Sequence, residues 1–376
     1  MHVGIACYTS SMIKRLSIGL AVIVLLFIGF AAIKGMSNSG SRTSTEELVR
    51  VQFDNPVKNI SEKEAQNGYI FTFNGDTYSV IGGCNAYQQS GGSWNLIDQI
   101  CYDPNYKSKY SNKNGRMYIK ADDGRDVEIP TRFSRDFEND KSIKDLFITD
   151  VGQIGFTAMT LQSPKAPEVS DYVKLRNCIL AAKCDFLDNR IDLSKDVVHS
   201  GKQSVKFLAV APNKSIETSK SSIETQLVYF RKGDDVWFEG WYYFQEGLPT
   251  TIMDLESTWL KSYPGPRIWV NQDKTLEIEL KALDKPRYKQ TGAPLPLPIK
   301  KWVRIVIHYK LSNTNDGVIQ LWQDDKKIID ARGKNIPFPD TILNSLEVGI
   351  SANSNSNSVI LYVDDISIGK TPPNGY

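Results

Sequence analysis

Along most of the chain apolar and polar residues alternate with a period of two, the spacing that puts every second side chain of a strand on one face. Runs of this kind fall at 155–161, 203–209, 222–230, 236–244, 251–260, 267–270, 276–280, 302–311, 317–323, 346–351 and 358–368. Turn residues separate them and no long helical period intervenes, so two packed antiparallel sheets are expected over residues 151–370. The proline-rich stretch from Gln290 to Pro298 and the NSNSNS run from Asn353 to Ser358 read as loops, since proline cannot sit in a central strand. Between residues 49 and 150 the apolar bursts are shorter, as in Tyr69 to Phe73, Tyr78 to Ile81 and Met117 to Lys120, and NGD, GG, SGG and NKNG turn signals divide them. That region reads as a small β-rich domain with one candidate helix near 136–146.

The N-terminus breaks the alternation. Residues 16–33 (LSIGLAVIVLLFIGFAAI) carry no charge and would form about 27 Å of helix, close to the thickness of a bilayer core. Lys14 and Arg15 precede this run, which by the positive-inside rule leaves the N-terminus in the cytoplasm and the body outside. Residues 1–34 are therefore read as a cytoplasmic tip and transmembrane anchor, and the small polar residues 35–48 as a flexible tether. A signal peptide cleaved near Gly29-Phe30-Ala31, with secretion of the remainder, is the alternative.

Composition adds limits. With 41% hydrophobic and 23% charged residues the chain can bury a core, and 45 basic against 43 acidic residues give no field that would attract nucleic acid. Four cysteines (Cys84, Cys101, Cys178, Cys184) follow the apolar run, an even number that suits an oxidising compartment. Short loops favour pairing Cys84 with Cys101 and Cys178 with Cys184, while four reduced core thiols stay open as the other reading.

Candidate chemistry comes from the faces of the expected strands. In DDVWFEGWYYF (Asp234 to Phe244), Val236, Phe238, Gly240, Tyr242 and Phe244 share one side, and Trp237, Glu239, Trp241 and Tyr243 share the other. The first side is a core face. The second mixes an acid with indoles and a phenol, whose flat apolar faces and polar edges suit a sugar ring; packing of the N-terminal region over it would be the alternative. Asp254, Glu256, Arg267, Trp269 and Lys281 extend the mixed polar and aromatic pattern to neighbouring strands, and Trp302, Arg304 and His308 share a face in WVRIVIHYKL. Trp237, Glu239, Trp241, Asp254, Glu256, Arg267, Trp269 and Lys281 are thus the candidate polysaccharide-binding residues.

Several stretches together resemble the concanavalin A-like jelly rolls of heparin and glucuronan lyases and laminin-G-like carbohydrate-binding domains. They are His199 to Phe207 (HSGKQSVKF), Gly233 to Trp237, Trp302 to Ile305, Asp316 to Asp324 (DGVIQLWQD) and Tyr362 to Ile366 (YVDDI). The resemblance implies an all-β, two-sheet antiparallel jelly-roll sandwich and, from the lyases, β-elimination on an acidic polysaccharide. That chemistry needs a base, an acid and a group that neutralises the uronate carboxylate. The best constellation is Tyr243 as base and acid, with Gln226 and Arg304 near the carboxylate and His308 as the other candidate base. Where related lyases carry Arg-x-Glu-Leu and Gln-x-His strands, this chain reads Glu224-Thr225-Gln226-Leu227 and Asp254-Leu255-Glu256. The missing arginine and histidine favour a membrane-anchored, non-catalytic polysaccharide-binding protein, with an eliminating lyase and a structural or adhesion protein as alternatives. Asp364 and Asp365 resemble the position of a structural calcium in related modules.

Overall fold

The computed structural model describes residues 59–376 apart from 67–68, 74–75, 82–84, 100–109, 114–115, 122, 151, 258–264, 282, 284–286 and 338–340. The expected anchor, the tether, Cys84 and Cys101 lie outside the described residues. Among those described, no helix is long and apolar enough to cross a membrane.

A small five-stranded sheet comes first, made of β1 (Asn59–Ile60), β2 (Tyr69–Phe73), β3 (Asp76–Ile81), β4 (Asn85–Ser90) and β5 (Ser93–Gln99). The short helix α1 (Glu62–Gln66) joins β1 to β2 and buries Ala65 beside Tyr87 and Trp94. The Trp94 indole donates to Glu62 at 2.6 Å, which gives its one polar atom a partner. A three-stranded sheet of β6 (Tyr110–Lys113), β7 (Arg116–Lys120) and β8 (Asp126–Glu128) follows.

The body of the molecule is two larger sheets around one core. Its elements are β9 (Phe133–Arg135), β10 (Ala158–Thr160), α2 (Val169–Leu180), β11 (Arg190–Ser194), β12 (Ser204–Ala209), β13 (Ser219–Thr225), β14 (Phe230–Arg231), β15 (Asp235–Glu246) and β16 (Thr251–Glu256). There follow β17 (Pro266–Val270), β18 (Leu276–Leu280), β19 (Arg287–Tyr288), β20 (Trp302–Lys310), β21 (Val318–Gln323), β22 (Lys326–Arg332), β23 (Ile342–Leu343), β24 (Ser345–Asn353) and β25 (Val359–Gly369). The front sheet runs β10-β13-β24-β16-β17-β18-β19, and the back sheet runs β11-β12-β25-β15-β20-β21-β22 with β9 added on β25. Every pairing in the two sheets is antiparallel. Successive strands change sheet, as β13 and β15 or β15 and β16 do, which is the crossing pattern of a jelly roll.

Alternation explains the core. Val236, Phe238, Tyr242 and Phe244 of β15 are buried on the inner side of the back sheet, and Met253, Leu255, Ile268, Ile278, Leu346 and Val348 meet them from the front sheet. Each such side chain contributes roughly 1.5–3 kcal/mol on burial. Residues before 151 join this core: Phe133, Phe137 and Leu146 belong to it, and β9 pairs with β25. The expected helix near 136–146 is a single 3-10 turn, Ile143–Leu146.

Several elements were not expected, among them one helix and two edge strands. Helix α2 has a weak apolar stripe, and the edge strands β11 (RIDLS) and β22 (KKIIDAR) are rich in charge, as strands facing solvent at a sheet edge tend to be. Cys178 near the end of α2 is bridged to Cys184, as their spacing suggested, with the Cα atoms 5.5 Å apart.

Candidate active site on the front sheet

The outer face of the front sheet carries a line of ionisable side chains in register. Glu224 of β13 pairs with Glu347 of β24, and Glu347 with Asp254 of β16. Asp254 pairs in turn with Arg267 of β17, Arg267 with Glu279 of β18, and Glu279 with Arg287 of β19. The side chains between them along each strand, including Ile223, Leu346, Leu255, Ile268 and Ile278, point into the core, so the line stands on the outer face by strand periodicity.

Charge on this face is closely organised. Lys281 donates to Asp254 at 2.5 Å and also to Glu256, Arg267 donates to Glu279, and Ser222 donates to Glu347. Ser345 donates to Glu224 at 2.5 Å, and the amide of Gln226 donates to the same carboxylate at 2.9 Å. Arg287 lies 3.7 Å above the Trp269 ring and Arg267 5.1 Å from it, so the indole is flanked by two cations. Arg287 reaches its acidic neighbours only at 3.5 and 3.7 Å, which leaves its donors largely uncommitted.

Burial separates the proton affinities of adjacent groups. Desolvation pushes the Glu347 carboxyl up to about 7, even with the Lys220 ammonium beside it. The Glu347 charge in turn raises Lys220 far above the ordinary lysine value, outweighing burial. Burial alone would raise Asp254, but Lys281 and the Ser351 hydroxyl together hold it below the usual carboxylate range. Tyr172 of α2 lies within electrostatic reach of Lys220, Glu347 and Glu224, and burial raises its phenol. Two neighbouring carboxyls, one ionised and one half-protonated near neutral pH, with a lysine and a protonated phenol close by, make a set able to move protons.

The family model described as Polysaccharide lyase matches residues 168–367, more than half of the chain. The chain belongs to the polysaccharide lyase family. Its fold is similar to that of an endo-β-1,4-glucuronan lyase from the fungus Trichoderma reesei, with 15% identity over 49% of this chain and 88% of that one and a TM-score of 0.41. It is also similar to the cellulose-induced protein Cip1, with 20% identity over 50% and 88% of the two chains and a TM-score of 0.38. For an alginate lyase from Chlorella virus the values are 14% identity, 49% and 90%, and 0.34. No curated protein matches the chain in sequence.

In this polysaccharide lyase family member the residues singled out in the sequence divide between two faces. Gln226, Asp254, Glu256, Arg267, Trp269 and Lys281 are on the front sheet or at its strand ends. Trp237, Glu239, Trp241 and Tyr243 are on the back sheet, where Trp241 pairs with Arg304, Tyr243 with Trp302 and Trp237 with His308. The hydrophobic core lies between the faces, so Gln226 does not meet Tyr243, Arg304 or His308. His308 directs one ring nitrogen to Gln320 at 2.9 Å and the other to Asp235 at 2.7 Å, which leaves neither nitrogen open to a substrate. Its ring stacks on Trp237 at 4.1 Å. Tyr243 packs between Trp302 and Tyr362, and Arg304 is held by Glu239 at 2.6 Å. The segment before residue 151 borders this face through Arg132, which lines a cleft with Trp237 and Trp241, and Tyr376 lies 5.2 Å from Trp322 and 6.4 Å from Trp237.

Asp364 and Asp365, the expected calcium ligands, each have protein partners. Asp364 is fully buried and accepts the backbone N–H groups of His199 at 3.0 Å, Ser200 at 3.4 Å and Asp365 at 2.9 Å. Burial pushes its carboxyl up to about 6. Asp365 instead holds the His199 ring at 2.7 Å.

Lys220, Glu347, Tyr172 and Arg287 were missed as site residues. Glu347 sits in the alternating run SLEVGIS and could be placed on an outer face from sequence. What was lacking was its neighbours, since strands β13, β24 and β16 are brought together only by the fold.

Proposed function

We propose that the protein cleaves a uronic-acid polysaccharide by β-elimination on the outer face of its front sheet. The supporting observation is the in-register line from Glu224 to Arg287, with a half-protonated Glu347 beside Lys220 at one end and a cation-flanked Trp269 toward the other. Strands lie about 4.8 Å apart, so Glu347 and Arg287, four strands from one another, are separated by roughly 19 Å, room for several sugar units laid across the strands. Trp269 offers a ring platform to one unit and Arg287 an anchor for its carboxylate.

At the reacting unit Lys220 neutralises the uronate carboxylate, which makes the C5 proton acidic. Glu347 in its ionised form takes that proton. The electron pair forms the C4=C5 double bond as the C4–O glycosidic bond breaks, and the protonated Tyr172 phenol supplies a proton to the leaving oxygen. Membership of the lyase family supports this reading over a non-catalytic binding module. The adjacent Asp254 and Glu347, with proton affinities moved in opposite directions, favour one other reaction, hydrolysis by paired carboxylates.

The test is short-wavelength ultraviolet absorbance of the C4=C5 unsaturated product, with polyglucuronate and alginate as substrates. Growth of that band, reduced about 10²-fold or more in Glu347→Gln and Tyr172→Phe, is the expected result. New reducing ends without the band would mean hydrolysis. Binding without either would return the protein to the non-catalytic class.

We also propose that residues 16–33 anchor this body outside the membrane, on the strength of their uncharged length and the preceding Lys14 and Arg15. Release of the protein from membranes by carbonate wash would count against an uncleaved anchor.

A further inference from the structure

The back sheet carries a cleft of about 560 Å³ that has no part in the chemistry above. It arises from a contrast in size across two paired strands. On β15 stand Trp237, Glu239 and Trp241; opposite Trp237 on β25 is Gly369, and opposite Glu239 is Ser367. Large side chains beside small ones leave a trough along the strand pair.

The walls have the chemistry of a sugar site. Glu239 and Arg304 are paired at 2.6 Å and both line the trough, offering acceptors and donors side by side. Arg304 also donates to the Asn374 carbonyl at 2.9 Å, and the Tyr376 hydroxyl donates to the Asp324 carbonyl at 2.6 Å, so the chain end is fastened as a wall. Trp241 is backed by the His199 ring at 3.7 Å, and Trp237 by His308 at 4.1 Å, which fixes both indoles in place. Arg132 lines the opposite side, is exposed, and has no acidic partner among the described residues.

We propose that this trough is a second saccharide site, on the face opposite the reacting one, that takes an acidic sugar: the ring lies against the fixed indoles, hydroxyls meet the Glu239–Arg304 pair, and the carboxylate meets Arg132. The site stands whether or not the front face cleaves. Two sites on opposite faces would let one molecule hold a polymer strand while another strand lies on the front sheet, raising the effective concentration of substrate.

The experiment is a titration of the full-length protein with glucuronate oligomers, with uncharged cello-oligomers as the control. Ser367→Phe fills the trough from a partly exposed position, Arg132→Ala removes its exposed cation, and Arg287→Ala weakens the front face. Two classes of site are expected for glucuronate. Ser367→Phe, with an unchanged melting temperature, removes one class; Arg287→Ala weakens the other; and Arg132→Ala weakens the trough class about tenfold. A single class that survives Ser367→Phe overturns the proposal. Equal binding of the cello-oligomers in the trough overturns the assignment to an acidic sugar. Absence of the unsaturated product, with the trough class intact, would remove the lyase reading alone.

Discussion

Glu347 is the residue on which most depends, and its proton affinity has a consequence for stability. The folded carboxyl is raised to about 7 from an ordinary value of 4.5, so between those values the folded state keeps a proton that the unfolded chain has released. Its contribution is full below 4.5, falls as pH rises through the window, and is lost above about 7. Glu347→Gln should flatten that part of the pH profile of the urea midpoint; parallel profiles would show that the carboxyl is not displaced. Lys281 makes a second case. Its side chain is 16% exposed and holds Asp254, 5% exposed, together with Glu256. Lys281→Met leaves these carboxylates without their cation and should cost about 3–5 kcal/mol in urea unfolding, the range for breaking a buried pair. At this scale the sequence displayed outward Asp254, Glu256, Arg267 and Lys281 correctly as polar positions of strands, because alternation is local. Tyr172 and Lys220 carried no such mark, since their meaning comes from Glu347, which is far away along the chain.

Among the elements, β24 shows how tightly the two sheets meet. Gly349 has a φ of +114° and a side chain there would come within 2.8 Å of the Phe207 ring and 3.0 Å of the Ser221 carbonyl. Gly349→Ala should therefore cost about 2–4 kcal/mol through overpacking and backbone strain, read from the melting temperature. An unchanged melting temperature would mean that β24 and β12 can separate freely. Helix α2 carries Tyr172 toward the front sheet, and the Cys178–Cys184 bridge closes a short loop at its end. Opening a loop of this length by Cys184→Ser should remove roughly 2 kcal/mol on the chain-entropy account. The central strands β15, β18 and β20 were legible nearly to the residue because they are long or cleanly alternating. Edge strands β11 and β22 and helix α2 were not, because exposed charge at a sheet edge and a weak helical stripe both dilute the periodic signal. Which strands share a sheet was not legible at all. Gln226 and Tyr243 are close in sequence and lie on opposite faces, because the chain crosses from the front sheet to the back sheet between β13 and β15.

The whole molecule raises the question of where the sandwich begins. A change of pattern near residue 150 suggested a boundary there, yet several contacts tie residues 133–147 to the sheets. Gln203 donates to the carbonyls of Phe137 at 2.5 Å and Asp140 at 2.6 Å, and the Glu138 carboxylate accepts the N–H groups of Lys202 at 2.8 Å and Gln203 at 3.3 Å. Phe133, Phe137 and Leu146 are each no more than 2% exposed, and Phe133 meets Phe156 edge-on at 5.2 Å. At about 1.5–3 kcal/mol each, these three side chains contribute on the order of 5–8 kcal/mol, comparable with the whole stability of an ordinary domain. A fragment of residues 129–376 should therefore melt cooperatively, while 151–376 should be unfolded or bind a hydrophobic dye as a loosened core. The loss follows from geometry as well as energy: without β9, residues Ile366 to Ile368 at the end of β25 lose the strand paired beside them. Equal melting temperatures for the two fragments would place the boundary after residue 150 and reduce the segment before it to a packing accessory.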